Sequence, residues 1–541
     1  MRTPRQLLSR PAPPGGATTA EIETALRARL LTPMQDSGRA WVIWLVTGLV
    51  TAFAAVWRLV ELGRPSRLVF DETYYVKQAY SLLRLGYEGT WAEDPNLNFA
   101  AGNFTDLSLQ ADYVVHPGVG KWMIAAGMAF FDPADPVGWR ISAALTGILS
   151  VALLVLIGRM LFGHIIFGAA AGLLLAVDGI HIVMSRIAIL DIFLSFWALA
   201  GFAALLLDRN SHRARLARAG AVELHSHGKY RDGWGVRTGF RWWLLVAGIC
   251  LGLAGGVKWS GIYFLAVFGL VAVAWNITAR RAAGIPLWVG AGTIRDGVPA
   301  FFTLVPTALL TYLATWLPWF LNPNSYMRTW AADLAPHEQV RAWLPDGLNS
   351  LWQYHLNMWD FHTTLTSEHT YMSNPFGWLV QLRPTSFGWQ TVEGPAAEQL
   401  CGSDSCAAAI LAVGNPVLWW GGAISLLALG WGVIKRDWRA WAILAGYLAG
   451  YVPWFAYLNR TIFTFYTVAF VPFVALALTY AIGRAIGPPG ASRARRQGGV
   501  WVGAAVLITA VLFGAYFWPI WSSTWVPHWF WQAHMFLSTW I

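Results

Sequence analysis

Asp71 and Glu72 stand side by side in "RLVFDETYYVKQAYSLLRLG", directly after a run that reads as ready to enter a membrane. A charge at mid-bilayer costs at least ~2.5 kcal/mol on insertion scales, so acids at a membrane face are functional candidates by default. Favourable charge at a helix N-terminus accounts for one acid there but does not require two. Cations recur further along the chain. "VVHPGVGKW" supplies His116 and Lys121, "GWRISAAL" supplies Arg140, and "SRIAILD" supplies Arg186 with Asp191. "GGVKWSG" adds Lys258, and "LNRTIFTFYTVAFVP" adds Arg460 and Tyr466. Any one of these cations can snorkel to lipid headgroups. Gathered at one membrane face with two carboxylates, they form a site for an anionic, lipid-borne substrate.

The elements that must position these residues are membrane helices. The 541 residues are 56% hydrophobic and only 12% charged, with mean hydropathy +0.46, whereas an ordinary soluble domain carries about 25% charge. The 34 Trp and 53 Gly agree, since Trp favours headgroup boundaries and Gly packed membrane helices. Apolar runs of roughly 20 residues fit about eleven crossings, starting near Trp41, Trp139, His164, Ile187, Trp242, Trp259, Ala300, Ala409, Ala440, Thr461 and Gly498. Residues 1–40 read as a disordered, basic tail without the apolar core of a signal peptide; residues 41–541 read as the polytopic membrane domain. Alternating the loops with the tail inside places about two thirds of the 38 Lys and Arg inside, but under a third of the 28 Asp and Glu. That asymmetry obeys the positive-inside rule and leaves the C-terminus outside. The basic stretch "RNSHRARLARAG" falls inside, where it reads as topology signal and headgroup contact rather than nucleic-acid binding.

Two outer segments are too long to be connectors, about 61–138 and 321–408. In the first, Val76, Ala79, Tyr80 and Leu83 give the helix after Asp71 an apolar face to lay on the membrane, and Gly120 to Phe131 suits a second interfacial helix. In the second, Cys401 and Cys406 can form a local disulfide, as oxidation is permitted there, while Cys250 falls in a crossing as a packing residue. His355, His362 and His369 are spaced by seven, about 10.5 Å of helical rise per step, too far to share one zinc ion along a helix. They read as polar surface or substrate contacts.

"FDETYYVKQA", "HPGVGKW", "GWRISAALTG", "SRIAILDIF", "GLAGGVKWSG", "NPFGWLVQLRP" and "NRTIFTFY" occur in the order and topology of the protein O-mannosyltransferases, which this chain resembles from about Trp41 to Trp521. It looks like a bacterial member without the soluble domain that eukaryotic relatives insert in the second large outer loop. Gly118 and Val119 stand where the family often has Pro and Leu, which affects loop stiffness more than chemistry. The resemblance implies an all-α integral membrane protein of the GT-C glycosyltransferase type, multi-pass in a bacterial plasma membrane, with its active site outside and its N-terminus cytoplasmic. It implies mannose transfer from a polyprenyl-phosphate-mannose donor to Ser or Thr hydroxyls of secreted proteins, with the protein secretion channel as a possible partner and no cofactor.

Roles for the residues follow from that chemistry. A hydroxyl is a weak nucleophile and needs a carboxylate within hydrogen-bond reach, an effect of about 10² to 10⁴ in rate. Asp71 is expected as that base and Glu72 as the group orienting the acceptor. The route resembles inverting glycoside chemistry, a single displacement through an oxocarbenium-like state. The departing lipid phosphate needs positive charge more than a proton, so Arg140, Lys258 and Arg460 are expected to hold it. No acidic cluster argues for a divalent ion, and no metal is expected. His116 and Lys121 shape the first outer loop, Asp191 orients Arg186, and Tyr466 supports the site. The rivals are another polyprenyl-phosphate-sugar transferase of the same architecture and, remotely, a transporter, which calls for midplane charges and internal repeats.

Overall fold

A computed structural model describes residues 17–36, 39–335 and 337–541. The helices form as their apolar runs and caps dictate. Among the described residues, seven are long and apolar enough to cross a membrane: Ala40–Leu59, Pro136–Phe162, Asp191–His227, Gly261–Ala282, Trp288–Thr315, Pro416–Ile434 and Arg493–Trp521. An eighth arises if Ile165–Ala176 and Gly179–Arg186, bent by 62° at their junction, count as one span. The helices Trp242–Val257 and Val471–Ile486 are apolar but shorter, and Trp438–Gly450 is shorter still.

Capping sets several boundaries. Asp135 accepts from the Val137 amide ahead of Pro136 at the first helical turn, and Gly163 closes that helix at φ 78°. Asp178 causes the bend: one oxygen caps the next helix through the His181 amide, and the other accepts from the Asn415 amide and the Trp419 indole. A buried carboxylate satisfied three times is a fixed joint, not a loose break.

Three expectations change. The crossing expected from Ala409 begins later, at Pro416, because the start of its apolar run belongs to a strand, Ser405–Ala412, buried along nearly its whole length. A short, fully buried strand cannot be told from a helix by periodicity. The strand lies between Thr385–Glu393 and Val526–Pro527 in an antiparallel sheet, with Thr385 opposite Ala412 and Cys406 opposite Pro527. A two-stranded sheet, Gly89–Trp91 with Leu107–Ala111, completes the β content. The run at Thr461 begins as a 3-10 turn, Thr464–Ala469, before the helix opens at Val471. In the tail, Thr19–Leu30 is a helix started by a Thr18–Glu21 capping box. Its Ile22, Leu26 and Leu30 pack on Leu216, Ala217 and Ala221; residues 1–16 of the tail lie outside the described residues.

The Glu72–Leu85 helix also departs from expectation. Val76, Ala79 and Tyr80 are buried within the protein core with Ile124, Ala125 and Met128 of the helix Val119–Phe130, instead of facing lipid. The two helices of the first long loop therefore cap the bundle. Cys401 and Cys406 are joined in a disulfide, and Cys250 is free and buried.

Candidate active site

The chain turns sharply into the first loop helix. Phe70 adopts a left-handed backbone (φ 47°), a conformation that costs a bulky residue on the order of 1–3 kcal/mol and persists only where packing enforces it. Its ring is wedged edge-on against His369 at 5.7 Å, Phe387 at 4.8 Å, Phe463 at 5.9 Å and Phe465 at 5.9 Å. One side chain thus ties the first long loop to the second and to the segment carrying Arg460.

The two acids that follow have opposite surroundings. Glu72 is fully buried and accepts four bonds: Arg140 Nε and Nη2 at 2.8 Å each, the Val69 amide at 3.0 Å and the Ala188 amide at 2.8 Å. Arg140, also fully buried, gives its remaining donor capacity to the Pro65 carbonyl at 2.8 Å and the Arg67 carbonyl at 3.0 Å. Neither residue can do what the sequence reading expected: Glu72 has no free oxygen to orient an acceptor, and Arg140 has no free fork for a phosphate. They form a buried clasp joining the first loop, the Pro136–Phe162 helix and the segment before Asp191. Asp71, by contrast, makes no capping bond, and among the described residues its carboxylate takes part in no ion pair or side-chain hydrogen bond. Burial, chiefly, and the Asp191 charge push its carboxyl up to about 6, against the opposing pull of Lys258.

A cavity of about 330 Å³ is lined among others by His116, Asp191, Lys258, His362, Arg460 and Tyr466, within the usual size range of ligand pockets. Asp71 is not one of its lining residues but lies close enough to feel the charges of Asp191 and Lys258. Asp191 opens the long Asp191–His227 helix and Lys258 follows the end of Trp242–Val257, so each sits where the helix macrodipole favours its charge. Their side chains meet at 2.7 Å, and the Lys258 ammonium lies 5.4 Å from the Tyr466 ring centroid. This overturns the expected Asp191–Arg186 pairing. Arg186 instead donates to the carbonyls of Val60 at 2.7 Å and Glu61 at 2.8 Å and stacks over Trp518 at 4.9 Å.

Arg460 keeps its charge available. Its Nη2 donates to His362 Nδ1 at 3.3 Å, its buried Nε has no partner, and no acid pairs with it among the described residues. His362 Nε2 in turn donates to the Val115 carbonyl at 2.8 Å. Burial, then the Arg460 and Lys258 charges, hold its pKa down to about 4 against that bond, which keeps the imidazole neutral. His116 stacks on His362 at 5.0 Å and is depressed well below its ordinary value by burial and the same cations. Lys121 pairs with Glu88 and donates to the His116 carbonyl at 3.0 Å, so it fixes the loop without entering the cavity. Glu88 escaped the sequence reading because nothing in its neighbourhood marks it. His362 was noticed only as part of the spaced histidines: its helix, Asp346–Thr364, does carry His355 too, but His355 Nε2 sits 2.6 Å from the Tyr312 hydroxyl, away from any shared ligand position.

The fold and site together define a polytopic membrane protein built as a helical bundle, with a cation-lined cavity capped by the loop helices. The fold is similar to that of the S. cerevisiae protein O-mannosyltransferase Pmt1-Pmt2 complex bound to the sugar donor, with TM-score 0.69 over 97% of this chain and 94% of that one at 15% identity. The chain belongs to the dolichyl-phosphate-mannose-protein mannosyltransferase family, which matches residues 48–320, while the C-terminal four TMM region of protein-O-mannosyltransferase matches 348–540. It is 35% identical over 524 residues to the polyprenol-phosphate-mannose--protein mannosyltransferase of Mycobacterium tuberculosis, covering 94% of each chain. The protein of the same name in Corynebacterium glutamicum is 31% identical over 512 residues, 92% of this chain and 93% of that one. The family expected from the ordered stretches is the family found.

Proposed function

We propose that this membrane enzyme transfers mannose from a polyprenyl-phosphate-mannose donor to Ser or Thr hydroxyls of secreted or membrane proteins, by a single inverting displacement at the outer face of a bacterial plasma membrane. The observation that carries the reading is an unengaged carboxylate, Asp71, with its pKa raised to about 6, within reach of the charges of Asp191 and Lys258 in a cavity whose one acid-free cation is Arg460 among the described residues. Family membership supplies the donor and acceptor classes; the charge asymmetry of the loops supports the orientation. Delivery of unfolded acceptors by a protein secretion channel would suit that face.

In this reading the acceptor hydroxyl approaches Asp71, which takes its proton as the oxygen attacks the anomeric carbon. A base with pKa near 6 is largely ionised at neutral pH yet still basic enough to assist. The bond to the lipid phosphate breaks on the opposite side of the sugar. Arg460 binds the departing phosphate, with Lys258 contributing through its pair with Asp191, because developing negative charge is stabilised strongly by cations fixed in place before the reaction. A β-linked sugar on the carrier leaves α-linked on protein. His116 and His362 are both neutral and so do not compete for the proton; His362, with both ring nitrogens engaged, holds Arg460 in place.

The test uses membranes carrying the protein, polyprenyl-phosphate-mannose and a Ser/Thr peptide. Wild type mannosylates the peptide, and Asp71→Asn lowers transfer by about 10² to 10⁴ while inserting normally. Full activity in that variant removes Asp71 as base, and a different sugar or acceptor in the product mixture selects the rival transferase.

A further inference from the structure

The Asp191–His227 helix holds 37 residues, about 55 Å of rise, and so runs well beyond a hydrocarbon core of about 30 Å. Its far half carries the basic stretch, which is helical throughout instead of forming a loop. Two of its arginines are spent inside the protein: Arg209 stacks over Trp438 at 3.5 Å, and Arg213 donates to the Leu30 carbonyl at 3.0 Å. The rest face a hollow of about 580 Å³ lined by Arg215, Arg218, Glu223, His227, Arg231 and Arg237, at the opposite end of this helix from Asp191.

The hollow has four arginines against one acid. Neighbouring acids are already taken: Asp208 by Arg241, Asp296 by Arg280 and Asp232 by Arg295. Glu223 is the acid of the lining, and one of its oxygens accepts the Arg231 amide at 2.6 Å. Arg218, Arg231 and Arg237 are exposed, and among the described residues none of them pairs with an acid or donates a side-chain bond. Arg215 donates to the Phe240 carbonyl, and its Nε is buried without a partner. Four guanidinium groups lining one hollow repel one another, and the single carboxylate of Glu223 leaves most of that charge uncompensated; the guanidinium fork fits phosphate oxygens.

The rim identifies the source of that phosphate. Val222 in the lining is 53% exposed, Phe240 50% and Trp242 69%. The last two rings meet edge-on at 4.6 Å where the apolar Trp242–Val257 helix begins. Exposed Trp at the mouth of a membrane helix marks headgroup depth. We propose that the hollow binds the phosphodiester headgroup of an anionic phospholipid, with Phe240 and Trp242, whose segment is tied to the hollow through the Arg215 bond to the Phe240 carbonyl, against the upper acyl chains, a site separate from the donor cavity. Basic pockets between helix ends bind such headgroups by the same physics.

Native mass spectrometry of the detergent-solubilised full-length protein tests this. It is titrated in parallel with phosphatidylglycerol, phosphatidylcholine and inorganic phosphate, for wild type and for the triple variant Arg218→Gln, Arg231→Gln and Arg237→Gln. The substituted side chains support no bond in the fold, so the variant retains its tryptophan fluorescence and thermal midpoint. Wild type is expected to hold one phosphatidylglycerol at a concentration that leaves no phosphatidylcholine bound, and the variant to bind it at least tenfold more weakly. Equal retention by wild type and variant overturns the site. Inorganic phosphate bound as tightly as phosphatidylglycerol overturns the lipid assignment, because the apolar rim then contributes nothing.

Discussion

Replacing Glu72 by Gln keeps the side chain's shape and removes its charge, which separates a structural clasp from a group that meets substrate. Both partners of the Glu72–Arg140 pair are fully buried, and Glu72 accepts four bonds, two from the guanidinium and two from backbone amides. Gln offers one acceptor oxygen in place of two and presents an NH₂ group to donors, so at least one buried donor loses its partner, at about 1–3 kcal/mol. The Arg140 charge is left uncompensated, and breaking a buried pair from one side costs about 3–5 kcal/mol in all. Arg140→Gln alone strands the carboxylate and costs about the same. The double variant leaves two neutral amides in contact, so it should be less destabilised than the sum of the singles by 1 kcal/mol or more. Thermal midpoints of the purified protein in detergent give the stabilities, and steady-state transfer gives kcat with separate KM values for donor and acceptor. The expected result is a lowered midpoint and a lowered kcat in each single variant, because the clasp holds Asp71 from one side and, through Ala188, the segment leading to Asp191. Neither KM should move much. A wild-type midpoint with a raised acceptor KM in Glu72→Gln, or a raised donor KM in Arg140→Gln, would refute this reasoning and restore both residues to the substrate.

Because Asp71 titrates at about 6 in the folded protein, kcat/KM should rise roughly tenfold per pH unit below about 6 and level above it; a profile flat from pH 5 to 8 excludes Asp71 as the titrating base. The same shift is a stability statement: a raised carboxyl pKa favours the fold at low pH, and that advantage is lost as pH climbs from the ordinary carboxylate range through about 6. Asp71→Asn should therefore gain on the order of 3 kcal/mol at pH 7.5, seen as a higher thermal midpoint; a midpoint below wild type there contradicts it. Arg460→Ala should raise the donor KM at least tenfold and leave the acceptor KM nearly unchanged, and the opposite split moves the phosphate site elsewhere. Removing Cys401 and Cys406 together opens a loop of about six residues, worth about 2 kcal/mol in the chain-entropy account. Hydrogen exchange should then quicken over Pro395–Cys401 with transfer within twofold of wild type, and a large loss of transfer would show that this sheet reaches the cavity.

The bundle was legible where apolar runs exceed a bilayer's width, since length and composition alone define a crossing. It was not legible at Ser405–Ala412, whose unbroken apolar run is equally that of a buried strand, nor at Asp178, where a 62° joint rests on contacts from Asn415 and Trp419 that lie more than two hundred residues away in the chain. At the site, the residue types that gather around the cavity were visible from Asp71 to Tyr466. Their directions were not. Arg140 and Arg460 look alike in sequence, and only tertiary placement spends the first on Glu72 and backbone carbonyls while leaving the second facing the pocket. Asp191 was assigned to Arg186, five residues away, because proximity in sequence is the only distance a sequence offers; its partner is Lys258 on another helix.

The adjacency of the two acids has a geometric cause. Successive residues at a helix start point about 100° apart, so one carboxylate can enter the core as its neighbour turns toward the charges of Lys258 and Asp191. Glu72 takes the inward direction and is fixed by four bonds; Asp71 takes the other and has none. A base close to its substrate must be left unpaired to keep a raised pKa, and an unpaired group has nothing of its own to hold it in place. The neighbouring residue supplies that hold through the shared backbone, aided by the left-handed turn at Phe70 that four aromatic rings enforce. Exchanging the order of the acids, Asp71→Glu with Glu72→Asp, preserves composition and charge. The shorter Asp at 72 falls short of Arg140 and the Ala188 amide by about one methylene, so the swapped chain should lose the clasp. A thermal midpoint as low as that of Glu72→Asp alone, with transfer lost as well, is the expected result; a swapped chain with the wild-type midpoint would show that the clasp does not depend on the length of the side chain at 72.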